Sequence, residues 1–208
     1  MKDIVIMTRE EAGVSYEAIY ELVKDSYRQW MENDLDGEWL HFSIDEFIRI
    51  LSHAKVHVAI NKKTGELLGS RTHQINRKKN TVFDCYLAVA SKAKRMGIAT
   101  RILEAEIAWA KKTGFEYLSC NTATTAEWSV RWHLKNGYRI VGYGRSETNN
   151  HATYRFRLQL QPSLLWSAPL APITAHLSFF LSYVITKVTK DSAGHLNSIG
   201  IIGKKLFR

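Results

Sequence analysis

Hydrophobic and polar positions alternate in two different periods along this chain, and the changes of period predict its elements. Asp3-Ile4-Val5-Ile6-Met7-Thr8 reads as a first strand. Ser15 then offers an N-cap, and Ala18, Ile19, Leu22, Val23, Tyr27 and Trp30 recur at helical spacing. A second short helix fits Ser43 to Ser52, with Ser43 as cap, Glu46 three positions on, and Phe47, Ile48 and Leu51 apolar. Period two returns at Lys55 to Asn61, and Lys62 to Glu66 form a turn into a partner strand from Leu67 to Gln74. A basic turn, Asn76 to Asn80, leads to the apolar run Val82 to Val89. Two hairpins in series predict an antiparallel meander.

The period then changes again. A basic turn of small residues, Ser91 to Gly97, precedes a helix from Ile98 whose buried face is traced by Ile98, Ile102, Ala105, Ile107, Ala108 and Trp109. Lys111, Lys112 and Gly114 end it, and Phe115 to Thr122 form the next strand. A strand-helix-strand unit needs a right-handed crossover and a parallel pair. Tyr138 to Ser146 and Ala152 to Leu160 predict a closing hairpin with Glu147 to His151 as its turn.

Beyond residue 160 the character shifts. No charged side chain occurs from 158 to 186, and all three prolines, Pro162, Pro169 and Pro172, fall there, which argues against a simple spanning helix. From Ile173, a polar stripe of Thr174, Ser178, Ser182, Thr186 and Lys190 runs beside a wide apolar face of Ile173, Leu177, Phe180, Leu181, Val184 and Val188. That face is expected to be covered. Three readings stand open: packing on the domain or a homodimer contact, peripheral membrane contact through 173–190 with a basic end on anionic lipid, or a wall of an acceptor or acyl pocket. The last segment, Ser198 to Arg208, is apolar and then basic.

Composition narrows this picture a little. The 208 residues suffice for one sizeable core with an appendage, and a formal net charge of +9 fits a polyanionic partner without choosing one. Cys85 and Cys120, the two cysteines, form no CxxC pair and read as apolar fillers in a reducing cytoplasm. The separations of His53, His57 and His73 match no metal-binding spacing, so no metal is expected. The N-terminal apolar stretch is too short for a signal peptide. No nucleic-acid-binding motif accompanies the basic charge.

A strand running through a basic, glycine-containing turn into a helix suits a phosphate. Helix N-termini carry unpaired N–H groups and partial positive charge, Gly97 lets the backbone come close, and Lys94 and Arg95 add full charges. The run Lys94-Arg95-Met96-Gly97-Ile98-Ala99 resembles the acyl-CoA pyrophosphate loop of the GNAT superfamily of N-acetyltransferases. Its usual form is Arg/Gln-x-x-Gly-x-Gly/Ala after a strand ending apolar-x-Val, here Leu87-Ala88-Val89. Lys94 departs from that form. Ser129-Val130-Arg131-Trp132-His133-Leu134-Lys135-Asn136-Gly137-Tyr138 resembles a second GNAT run, Ala-x-x-Leu-Tyr-x-Lys-x-Gly-Phe, with Lys135, Gly137 and Tyr138 matching in type.

The resemblance implies an α/β fold with a GNAT-like mixed, mostly antiparallel sheet, a splayed parallel strand pair and flanking helices. Here it would span 1–160 as an acyl-CoA-binding domain and leave 161–208 as a C-terminal extension. It implies acyl-CoA, most simply acetyl-CoA, as donor to a primary amine. Lys94, Arg95, Met96, Gly97, Ile98, Ala99 and Thr100 would hold the donor, with its pantetheine amides on the backbone of Leu87 to Val89. His133 stands where many members carry the Tyr that protonates the departing thiolate, a task within reach of imidazole, or it is a packed core histidine. Many members place a Glu base on the strand before the loop. This strand carries only Asp84, which by alternation faces opposite to Leu87 and Val89 and is either the base or a salt-bridged residue. The first helix pair would border the acceptor site, and the acidic loop Glu32 to Trp39 between those helices either attracts an amine there or is a solvated loop. The rival reading is a non-catalytic GNAT-like domain that binds acyl-CoA as a scaffold.

Overall fold

The first strand forms as β1 (Ile4–Thr8) and stops on Thr8 because that residue turns to capping. Its hydroxyl accepts from the Glu11 N–H, and the Glu11 carboxylate accepts from the Thr8 N–H, a reciprocal box that starts a one-turn helix, α1 (Arg9–Ala12). This turn was not expected from periodicity, since four residues are too few to show one. The computed structural model describes residues 3–33, 43–145, 152–163, 165–166 and 170–188. Within them follow α2 (Tyr16–Asn33), α3 (Ile44–Leu51), β2 (Lys55–Asn61), β3 (Leu67–Asn76), β4 (Thr81–Val89), α4 (Ile98–Thr113), β5 (Tyr117–Ala123), α5 (Glu127–Lys135), β6 (Arg139–Arg145), β7 (Ala152–Gln159) and α6 (Ala171–Val188). The capping roles expected of Ser15 and Ser43 are present: Ser15 Oγ accepts from the Ala18 N–H, and Ser43 forms a full box with Glu46. The acidic stretch 34–42, the turn 146–151 and the segment after 188 lie outside the described residues.

Seven strands hydrogen-bond in the order β1-β2-β3-β4-β5-β7-β6, with β4 and β5 parallel and the rest antiparallel. This is the mixed, mostly antiparallel sheet expected. The chain forms two compact units, Met1–Leu118 and Ser119–Arg208.

In the first unit the sheet is covered on both faces. Ile19, Leu22 and Val23 of α2 and Phe47 and Leu51 of α3 bury against Val56, Val58 and Ala88 on one face. Ile98 and Ile102 of α4 bury against Ala59 and Leu68 on the other. A Cβ on Gly69 would lie 2.7 Å from Ile98 Cγ2 and 3.2 Å from Ile102 Cδ1, so the missing side chain lets the start of α4 sit directly on β3. The loop between β4 and α4 is thereby fixed to the sheet at both ends, through β4 before it and the first turn of α4 after it.

In the second unit α6 packs on β6, the last strand of the sheet, and does so with its polar stripe. Ser182 Oγ accepts from the Tyr143 N–H at 2.6 Å, and Thr186 Oγ1 donates to the Tyr143 carbonyl at 3.2 Å. Among the described side chains of the helix, Ala171, Ala175 and Ser182 are the buried ones. Within one copy of the chain the apolar face is left exposed, so of the readings left open, packing on the domain does not cover it. An edge strand offers unpaired N–H and C=O groups, and hydroxyls satisfy them where leucines would not, so the polar stripe turns inward and the apolar face outward.

Candidate functional site

The loop after β4 is built as a platform beneath a helix start. The Ala90 N–H donates to Leu68 O at 2.9 Å, and a single 3-10 turn over Ser91–Ala93 tucks Ala93 into the core. Asp25 of α2 accepts from the Ser91 N–H and Oγ, holding the entry. Arg95 and Gly97 both adopt the left-handed conformation, at φ 67° and 73°. Gly97 is the N-cap residue of α4, and no side chain caps the helix. Its first N–H groups are therefore left for a ligand or water, and the partial positive charge of the terminus is uncompensated. Lys94, Arg95, Met96 and Gly97 are exposed, whereas Ile98 is buried and anchors the turn. Lys92, one turn earlier, pairs with Glu66. Among the described residues no carboxylate pairs with Lys94 or Arg95. All seven loop positions singled out in the sequence, Lys94 to Thr100, thus lie in one uncapped, cationic helix entry.

At the end of β4, α2 reaches the strand. Tyr27 Oη donates to the Leu87 carbonyl at 3.0 Å, and the Val89 N–H donates to Ser26 Oγ at 3.2 Å. Burial raises the Tyr27 phenol to about 12, so it is a hydrogen-bond donor at neutral pH. These are backbone groups that the family resemblance gives to pantetheine, and neither Ser26 nor Tyr27 was singled out from the sequence.

Asp84 lies elsewhere than alternation implied. Arg71 pairs with Leu87 and His73 with Asp84, so two steps along β3 meet three along β4. The extra residue is a β-bulge, and it reverses the parity of side chains across it. Asp84 consequently points to the α4 face, as does Val89, and not to opposite faces as expected. There it joins a buried ionic cluster. Arg71 Nη2 donates to Asp84 Oδ2 at 2.7 Å, and Arg71 Nη1 is 3.3 Å from Glu106 Oε2. His73 Nδ1 lies 3.0 Å from both Asp84 Oδ1 and Glu106 Oε1, while its Nε2 is 2.8 Å from His57 Nδ1.

The protonation pattern follows from the geometry. Burial alone would lower His73, but Glu106 and Asp84 outweigh it and raise the ring to about 9. His73 is then an imidazolium that donates from both nitrogens, and His57 accepts. Burial, with the His73 charge beside it, pushes His57 down to about 3. Burial would raise Asp84, yet Arg71 and His73 hold it well below the usual carboxylate range. Glu106 is pushed up to about 7 by burial and by the neighbouring Asp84 charge. One arginine and one imidazolium face two carboxyls, so the cluster balances its own charge once Glu106 has lost its proton. The ligating atoms of His73, Asp84 and Glu106 fall within 4.8 Å of one another, although the sequence shows no metal spacing, because the three come from separate elements.

Glu106 was missed. The helix face read from the sequence included Ala105, Ile107 and Ala108, but the buried positions of α4 are Ile98, Ile102, Leu103, Glu106 and Ala110. An i+4 line through Ile98, Ile102 and Ala110 crosses Glu106, and a charge on that line was the available signal.

In the second unit His133 is buried on α5. Its ring stacks on Phe156 at 4.9 Å and meets Trp132 and Tyr138 edge-on at 5.0 and 5.1 Å. Nδ1–H donates to the Ser129 carbonyl at 2.8 Å, which fixes the tautomer of the neutral ring.

Comparison with known proteins identifies the family. The model of the acetyltransferase (GNAT) family matches residues 16–138, from the start of α2 through the Gly137-Tyr138 stop of α5. The chain belongs to the GNAT acetyltransferase family. Among solved structures it is similar to a GNAT family acetyltransferase from Elizabethkingia anophelis with acetyl-CoA bound, at 17% identity and a TM-score of 0.59, covering 77% of this chain and 100% of that one. It is also similar to the ribosomal-protein-S18-alanine N-acetyltransferase from Escherichia coli, at 13% identity and TM-score 0.60 over 77% and 96% of the two chains. An N-acetyltransferase from Staphylococcus aureus Mu50 shares 21% identity and a TM-score of 0.59 over 76% and 99%. At these identities the likeness is one of fold. No curated protein matches the sequence.

Within the GNAT frame, Leu87, Val89 and the loop Lys94 to Thr100 form one continuous piece of β4 and α4. Asp84 belongs to the ionic cluster under α4, and His133 to the aromatic packing of α5.

Proposed function

We propose that this acetyltransferase transfers acetyl from acetyl-CoA to the nitrogen of a primary amine by direct attack. The observation that carries the reading is the uncapped N-terminus of α4 beneath Lys94, Arg95 and the left-handed Gly97, which suits a pyrophosphate. The amine lone pair attacks the thioester carbonyl, a C–N bond forms, the nitrogen gives up one proton to solvent, the C–S bond breaks, and coenzyme A leaves as a thiolate that takes up a proton. Positioning supplies much of the rate, and strand N–H groups of Leu87 to Val89 polarise the carbonyl. In this reading pantetheine takes over the Leu87 carbonyl and the Val89 N–H from Tyr27 and Ser26.

His133 is the group assigned to protonate the thiolate. Its position in the second family run and the fixed Nδ1–H support that role. Asp84 is assigned a structural role and not that of base, because its charge is already committed to Arg71 and His73. We treat 1–160 as the acyl-CoA-binding domain, supported by the span of the family match and of the solved relatives, and 161–208 as an extension upon it. Two free cysteines are consistent with a cytoplasmic enzyme, and no helix among the described residues is long and apolar enough to cross a membrane.

A second reading, an acyl-CoA-binding scaffold without turnover, draws on the absence of a Glu on β4. Following thiol release from acetyl-CoA with a panel of polyamines, amino sugars, peptide N-termini and lysine separates the two. Amine-dependent release that produces the N-acetylated acceptor is expected. Binding of acetyl-CoA with no release on any acceptor favours the scaffold.

A further inference from the structure

The outward face of α6 is unlike the surface around it. Leu170, at the helix entry, and Ile173, Leu177, Phe180 and Val184 are 39, 65, 58, 61 and 39% exposed. Their spacings are three, four, three and four residues, the repeat with which one helix meets another along a shared seam. At ordinary side-chain areas these residues, with the flanking Leu181 and Tyr183, expose roughly 700 Å², more than the largest patch of a typical monomer and close to the ~800 Å² each partner gives a standard interface.

Two observations decide what fits there. No Asp, Glu, Lys or Arg occurs from 158 to 186, so two copies of this face meet with no like charges opposed. A helix lying on anionic lipid needs cations along its flanks and its polar side in water. Here the first cation of the helix is Lys187, and the hydroxyls of Ser182 and Thr186 are hydrogen-bonded to β6. We propose that the α6 seam pairs with the same seam of a second copy of the chain, giving an isologous two-fold dimer. Leu177 is the midpoint of the five seam positions, so a centred two-fold pairing sets it against its own copy.

Sedimentation velocity of the full chain over micromolar concentrations tests this. A species of twice the 23.9 kDa chain mass is expected. Phe180→Glu, with its fold checked by circular dichroism, is expected to sediment as a monomer. Independently of that variant's folding, Leu177→Cys is expected to form a disulfide-linked dimer under mild oxidation. His176→Cys, exposed but off the seam, is not. A wild type that stays monomeric at every concentration overturns the proposal, including one that pellets with phosphatidylserine vesicles. So does a dimer whose Leu177→Cys form fails to cross-link.

Discussion

Asp84 shows how far one residue can be read from its neighbours. Its identity and its strand were legible; its direction was not, because a bulge one residue away reverses the pleat and a bulge leaves no mark in apolar alternation. Glu106 was hidden for a related reason. A buried carboxyl is stabilised by partners from β3, β4 and α4 together, and no local window contains them. The loop Lys94 to Thr100 was legible because its chemistry is local: a glycine, two cations and a helix start in sequence order.

The buried cluster makes predictions at this scale. Asp84→Asn leaves Arg71 and His73 short of a counter-charge and is expected to cost on the order of 3–5 kcal/mol in denaturant unfolding. The pH–rate profile of the surviving activity should keep its shape, and loss of its acidic limb would make Asp84 the base after all. His73 carries a pH signature of its own. Folded, it holds its proton up to about 9 against an ordinary 6.5, so its contribution to stability is complete below pH 6.5 and is lost as pH rises through about 9. Stability of the wild type should fall across that window by up to roughly 3 kcal/mol, and His73→Gln should flatten the fall. For His133, replacement by Ala is expected to lower kcat about 10²-fold or more with little change in the KM for acetyl-CoA. Unchanged kcat would leave His133 as an aromatic packing residue.

Among elements, α4 is placed by what β3 lacks. Gly69 lets Ile98 and Ile102 settle on the sheet, and the uncapped turn before Ile98 is set by the same contact. Gly69→Val is expected to lift the helix start, costing ~1–3 kcal/mol of stability and weakening coenzyme A binding, as titration of the folded variant would show. A variant that binds as tightly as the wild type would separate the loop from the packing beneath it. α2 contributes in the opposite sense: Ser26 holds the Val89 N–H, so Ser26→Ala is expected to tighten acetyl-CoA binding several-fold, the equivalent of about 1 kcal/mol for one hydrogen bond. Helix starts were legible wherever a Ser and a Glu sat three apart, as at Ser43 and Glu46. The amphipathic pattern of α6 was equally plain, yet the partner of each face was not, because a pattern states that two faces differ and not what each will meet. Edge-strand backbone took the polar one.

For the molecule as a whole, the mixed sheet and the family could be anticipated because two motifs in separate units pointed to one fold, and the match over 16–138 spans both. Residues after 160 had no such motif, and solved relatives that are covered nearly in full account for 76–77% of this chain. The account rests on the helix entry at Lys94 to Thr100 as the donor site. Calorimetric titration of the full chain with coenzyme A and with pantetheine, each against wild type and a Lys94→Glu/Arg95→Glu variant, tests it most directly. Coenzyme A affinity is expected to fall at least tenfold in the variant, about 1.4 kcal/mol, while pantetheine affinity stays the same. Equal coenzyme A affinity in the two proteins would contradict the assignment of the pyrophosphate to this loop.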